Sequence, residues 1–380
     1  MSPGAEIRTT VTEEREDIIM RFYMPTKLYT ERDCVANHAD ELGKLGNRAL
    51  IVTGGRSSRQ NGALDDVTAA LARNGAVWSV FDEVEENPSV ETVMKAACAG
   101  IDMNADCVIG IGGGSPLDAA KAAALMAANP DKDEVFLCKG GAPFRAPLPV
   151  AAVPTTCGTG SEVTAVSVLT YHDRRTKGSI PFRIFPQVAL CDGKYLAAAP
   201  QTLIVNTALD ALAHLVESRL NRAADTYSLM CADSGLIAWS RQLGLLRSGR
   251  TPTPDELDAL MAASSIAGMA IAQTGTGIPH GLSYALTYEA LLPHGRACAV
   301  FLPGFIAECG SAGEEVLHEA GFADADEFGS FIRSTAGGMT DTGLLRLAAE
   351  NLLKTPSKLG TAPFAADEER VMKIALSAAE

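Results

Sequence analysis

The chain has 380 residues, of which 47% are hydrophobic and 21% charged, with 35 glycines and 19 prolines. This is ordinary globular usage, and it excludes a disordered chain, a fibrous repeat and a small disulfide-stapled module. Acidic side chains outnumber basic ones 46 to 32, for a net charge of −14, and no Lys/Arg cluster interrupts that balance. The charge argues against a nucleic acid partner. Nine cysteines without a C-x-x-C pair predict reduced, mostly buried thiols of a cytoplasmic protein. The first twenty residues have no apolar core with basic flanks, and no apolar run reaches the roughly 18 residues of a membrane span. Neither secretion nor membrane insertion is expected.

From Arg48 to about Leu190 short apolar runs alternate with helical patterns. Strands are expected at Ala49 to Thr53, Val77 to Phe81, Cys107 to Ile111 and Leu148 to Val153, and helices at Ala63 to Asn74 and Pro116 to Ala128. Such alternation predicts a largely parallel sheet covered by helices, an α/β Rossmann-like domain. After about Pro200 the pattern turns Ala/Leu-rich and helical, over Thr207 to Leu220, Asp225 to Leu245, Thr253 to Gln273 and Gly281 to Leu292. The composition shift at Ala197-Ala-Ala-Pro200 divides the chain into an α/β dinucleotide-binding domain, residues 1–198, and an all-α domain, residues 199–380.

Gly112-Gly113-Gly114-Ser115-Pro116-Leu117-Asp118 joins a buried strand to a helix. Glycines there let backbone N–H groups approach a phosphate at a helix N-terminus. A plain tight turn, with Ser115 and Asp118 capping the helix, is the alternative. Pro154-Thr155-Thr156-Cys157-Gly158-Thr159-Gly160-Ser161-Glu162 follows a second strand with four hydroxyls and two glycines. Two such elements at successive strand ends line a crevice, where open α/β sheets hold nucleotides. The first strand ends in Thr53-Gly54-Gly55-Arg56-Ser57-Ser58-Arg59, with glycine where an acidic residue would bind a ribose 2′-hydroxyl. The turn suits a 2′-phosphate and hence NADP(H) over NAD(H), or is simply a solvated basic turn.

Asp210 and His214 are four apart in a predicted helix, which puts a carboxylate and an imidazole on one face. His280 opens the third helical stretch after that one, and His294 follows in Pro293-His294-Gly295. One carboxylate and three imidazoles suit Fe²⁺ or Zn²⁺ with a position left for a substrate oxygen. Each histidine taken alone is also compatible with a structural role.

Together, Gly112 to Lys121, Pro154 to Thr164, Asp210-x-x-x-His214, His280 and Pro293-His-Gly-Arg-Ala297 resemble the iron-containing (group III) alcohol dehydrogenase family, in order from about Phe22 to at least Phe305. The resemblance implies the dehydroquinate synthase-like fold of that family, with a metal and nicotinamide site in the cleft between the two domains, and a homodimer. It implies Asp210, His214, His280 and His294 as metal ligands. Gly54, Ser57, Asn87, Gly113, Gly114, Ser115, Asp118, Thr155, Thr156, Thr159, Ser161 and Lys177 would border the cofactor.

Many members carry a further histidine four residues after the third ligand, where this chain has Tyr284. Tyr284 is therefore a candidate proton donor, with Lys177 as the second candidate catalytic side chain, although a core tyrosine needs no role. The stretch around His280 and the Thr53 to Ser58 turn look like the phosphonoacetaldehyde reductase branch. A phosphonate dianion needs cations, and Lys177, Arg183 and Arg296 are the candidates. The expected function is metal-dependent, NAD(P)H-linked reduction of a small aldehyde. A cyclase of the dehydroquinate-synthase type and a non-catalytic nucleotide-binding subunit are the other readings.

Overall fold

The computed structural model describes residues 21–142 and 144–379; the expectation about a leader in the first twenty residues lies outside them. Six strands form one parallel sheet: β1 (Lys27–Thr30), β2 (Arg48–Thr53), β3 (Val77–Phe81), β4 (Cys107–Gly112), β5 (Val150–Pro154) and β8 (Val188–Cys191). Their order is β1-β8-β5-β4-β2-β3. β4 and β5 are buried along their whole length, as strands covered on both faces must be. β6 (Val168–Tyr171) and β7 (Thr176–Ser179) form a separate antiparallel hairpin.

From β2 the chain moves outward to β3, and from β4 it moves the opposite way to β5, so strand order reverses between β2 and β4. Ligands of open α/β sheets sit at that reversal, outside the carboxyl ends of the strands. Gly112 pairs with Pro154 in register, so both glycine-bearing loops leave the sheet side by side.

No strand of the sheet or hairpin follows Cys191, and the first long helix, Gln201–Arg219, begins beyond the expected boundary at residue 198. It starts six residues before the expected Thr207. The stretch read as one helix from Asp225 to Leu245 is two, Thr226–Ser240 and Leu243–Ser248, separated at Arg241 and Gln242. The helix Val90–Asp102, capped by the Ser89 hydroxyl on Thr92 N–H, was not anticipated, nor were β1, β6, β7 and β8. Four-residue strands are too short for an alternation pattern to declare itself. Among the described residues no helix is long and apolar enough to cross a membrane.

Apolar clusters cover the two sides of the sheet. The core of the helical region continues into the sheet through Cys157, Ala189 and Cys191. One close approach between the two parts is glycine on glycine. A Cβ built on Gly160, which has φ 59°, would stand 2.3 Å from Cα of Gly268 in the helix Pro254–Thr274. Gly160→Ala should therefore lose about 2–4 kcal/mol of stability, combining a left-handed backbone with a backbone clash. Gly249→Ala, with φ 64° and open space around it, should lose only about 1–2 kcal/mol. Equal denaturation midpoints for the two variants would contradict this packing account.

Candidate metal and nucleotide site

Asp210, His214 and Glu217 follow at i, i+4 and i+7 along one face of the buried helix Gln201–Arg219. Asp210 Oδ1 lies 3.9 Å from His214 Nε2, 3.5 Å from His280 Nε2 and 3.7 Å from His294 Nε2. His280 comes from the first turn of the helix Ile278–Glu289, and His294 opens the helix His294–Ala299. The His214 and His280 rings stack with centroids 4.5 Å apart.

These distances exceed hydrogen bonds, and Asp210 Oδ1 and His280 Nε2, both buried, have no hydrogen-bond partner. At about 2.1 Å from a tetrahedral metal, ligand atoms stand about 3.4 Å apart; His280 and His294 come near that spacing from Asp210, while His214 Nε2, at 3.9 Å, is the farthest. The far nitrogens are engaged. His214 Nδ1 faces Gly158 O at 3.2 Å and His280 Nδ1 faces Glu217 Oε2 at 2.8 Å, which turns both Nε2 atoms toward Asp210. The donor set thus fits a divalent cation.

Sequence reasoning missed Cys298. It is buried, its Sγ lies 3.8 Å from His294 Nε2, and it joins Asp210, His280 and His294 in a group whose ligand atoms all lie within 4.8 Å of one another. Its signal was the His294-x-x-x-Cys298 spacing within one helix.

Burial pushes the Asp210 carboxyl up, but the surrounding His214, His294 and His280 outweigh it and hold it below the usual carboxylate range. Burial pulls the His214 imidazole down to about 4, against the pull of Asp210. His294 is likewise driven down by burial.

On the nucleotide side, Gly113 leaves the N-terminus of the helix Gly114–Ala128 without a side-chain cap. The capping alternative does not occur. Ser115 Oγ accepts from Asn87 N–H at 3.0 Å, while Asp118 accepts from Ser161 Oγ at 2.6 Å and Val168 N–H at 2.8 Å. Bare helix N–H groups beside glycines attract an anion. The two loops interlock: Cβ atoms built on Gly113 and Gly114 would meet Thr156 Cγ2 at 3.0 Å and Thr159 Cγ2 at 2.7 Å. Thr155 N–H bonds Gly112 O at 2.9 Å.

Lys121, also passed over, is fully buried and donates to Ser161 Oγ at 2.7 Å and Val166 O at 2.8 Å. Asp118 and Ser161 therefore spend their side chains on tying the hydroxyl loop to the helix. At the end of β2, Ser57 and Arg56 are exposed beside Gly54, whereas Arg59 pairs with Asp82 at 3.0 Å.

Lys177 links the two halves. It is buried, donates to Asn87 Oδ1 at 2.6 Å, and burial lowers its ammonium pKa against the opposing influence of Cys298 and Asp210. It lines a cleft of about 460 Å³ with Asn87, Thr170, Thr287 and Tyr288. Thr287 is buried and its Oγ1 has no hydrogen-bond partner. Tyr284, one turn after His280, has Lys358 Nζ 5.9 Å from its ring centroid. Arg183 is exposed between β7 and β8, and Arg296 packs on the Gly337 turn, off the helix face that carries His294 and Cys298. The structure brings neither arginine to the cluster.

Residues 25–193 match the family model of iron-containing alcohol dehydrogenases, and residues 204–328 match the C-terminal model of the Fe-containing alcohol dehydrogenase family. The chain belongs to the iron-containing alcohol dehydrogenase family. It is 33% identical over 277 residues to the lactaldehyde reductase of Escherichia coli (strain K12), covering 72% of this chain and 71% of that one. It is 31% identical over 296 residues to an NADPH-dependent butanol dehydrogenase of Clostridium saccharobutylicum, covering 75% and 73%. The solved structure of an iron-containing alcohol dehydrogenase from Thermotoga maritima superposes with a TM-score of 0.86 at 33% identity, covering 95% of this chain and 99% of that one. Like its relatives, this iron-containing alcohol dehydrogenase is an NAD(P)-dependent oxidoreductase.

Proposed function

We propose that this enzyme reduces a small aldehyde with NADPH, using a divalent metal held by Asp210, His214, His280 and His294. The observation that carries the reading is the buried, unpartnered Asp210 Oδ1 faced by three imidazoles. When bound, the metal supplies Lewis-acid polarisation of the carbonyl and the nicotinamide supplies the hydride.

The residues of the chain do the rest. The uncapped helix N-terminus at Gly113, Gly114 and Ser115 binds the pyrophosphate, with Thr155, Thr156 and Thr159 on the facing loop. Asp118 and Ser161 keep that loop in place. Gly54 leaves the adenosine ribose open, and Arg56 and Ser57 receive a 2′-phosphate, which favours NADP(H). Asn87 orients Lys177 along the cleft, where its ammonium donates to the ribose or to an anionic substrate group. The Thr287 hydroxyl offers a hydrogen bond from the opposite wall. Tyr284 Oη–H supplies the proton that the product oxygen takes up, so that aldehyde, NADPH and one proton give alcohol and NADP⁺.

Phosphonoacetaldehyde is the proposed anionic substrate. Of the three expected cations only Lys177 lines the cleft, which Arg175 also lines together with Glu85, Glu86 and Glu289. The homodimer that the resemblance implies completes the proposal, and sedimentation of the purified chain checks it.

His280→Ala should keep the fold, read as an unchanged far-ultraviolet spectrum, and weaken Fe²⁺ binding in a chelator competition by more than about 100-fold. Undiminished metal affinity would contradict the ligand assignment. With Fe²⁺-loaded protein kept free of oxygen, NADPH absorbance should fall faster with phosphonoacetaldehyde than with propanal. Turnover of propanal alone removes the phosphonate, and silence on both with metal bound overturns the aldehyde reductase proposal.

A further inference from the structure

Glu217 belongs to no motif noted in the sequence, yet its carboxylate is 2% exposed and lies next to the metal cluster. Its Oε1 accepts His280 N–H at 2.9 Å, and its Oε2 accepts Gly277 N–H at 2.9 Å and faces His280 Nδ1 at 2.8 Å. Both oxygens thus accept backbone N–H groups, which favours the ionised carboxylate. An ionised Glu217 only accepts, so the hydrogen it shares with His280 sits on Nδ1.

Two consequences meet in this one group. The helix Ile278–Glu289 has no side-chain cap of its own at Gly277, so Glu217, reaching across from the helix Gln201–Arg219, accepts two N–H groups at its N-terminus and places a negative charge at its positive end. With hydrogen fixed on Nδ1, His280 Nε2 is left with a bare lone pair directed toward Asp210 Oδ1.

We infer that Glu217 is the positioning residue of the metal centre, fixing the tautomer and place of His280 while anchoring that ligand's helix to the helix that supplies Asp210 and His214. The inference rests on the metal reading above. A glutamine at this position retains the size but replaces one of the two acceptor oxygens with an NH₂ donor. Its amide NH₂ would confront an N–H of Gly277 or His280. If its oxygen took both backbone hydrogens instead, Nδ1 would become an acceptor and His280 would present Nε2–H to the ion. A carboxylate partner holds the productive tautomer, and loss of such a partner weakens metal affinity by about 10- to 100-fold.

The test compares wild type, Glu217→Gln and Glu217→Asp, each read by Zn²⁺ affinity in a chelator competition and by ¹⁵N chemical shifts of His280 in the Zn²⁺-loaded protein. Wild type should show Nδ1–H with metal on Nε2. Glu217→Gln should lose about 10- to 100-fold in affinity, and Glu217→Asp should recover part of it. Should Glu217→Gln fail to fold, the wild-type spectrum decides alone, and metal on Nδ1 overturns the inference. Equal affinity in folded Glu217→Gln overturns it too. A wild type that binds no Zn²⁺ defeats the metal reading itself, which separates that failure from this one.

Discussion

A carboxylate oxygen buried with no hydrogen donor governs this protein. Removing an ionised carboxylate from water costs several kcal/mol unless it is paired or coordinated. Asp210 Oδ1 is given three imidazole nitrogens at distances too long for hydrogen bonds. A cation at the centre of that group would satisfy the oxygen and the nitrogens at once.

The loop from Pro154 to Thr164 aligns the two parts of the molecule. Gly158 O faces His214 Nδ1, and a Cβ on Gly158 would run into Thr207 O at 2.6 Å. Gly160 lies against Gly268, and Thr159 against Gly114 at the start of the nucleotide helix. Lys121 and Asp118 grip the same loop through Ser161. One segment therefore touches the glycine turn, the helix Gln201–Arg219 and the helix Pro254–Thr274, and so sets the distance between the candidate nucleotide and metal sites. Hydride transfer depends on such alignment, and small errors in it cost large factors in rate.

Much of this was legible in the sequence where chemistry repeats at short spacing. Asp210 and His214 at i, i+4, and two glycine-bearing turns after buried strands, announce themselves without tertiary information. Glu217 did not, because a carboxylate gains meaning only from the histidine it meets across 63 residues; Cys298 has the same i, i+4 spacing from His294 but, as a lone thiol, reads as a core residue. Arg183 and Arg296 were drawn in by their place beside site motifs. Sequence adjacency does not carry a side chain to the same face, and Arg296 is two residues from His294 on a helix. Asp118 and Ser161 lie in the expected crevice, but their hydrogen bonds go to the protein.

The most direct test of the central claim is anomalous diffraction from crystals of the Fe²⁺-loaded protein. A single strong peak in contact with Asp210 Oδ1 and the Nε2 atoms of His214, His280 and His294 is expected. A peak elsewhere, or none with Asp210 Oδ1 taking a hydrogen bond from an ordered donor, would contradict it.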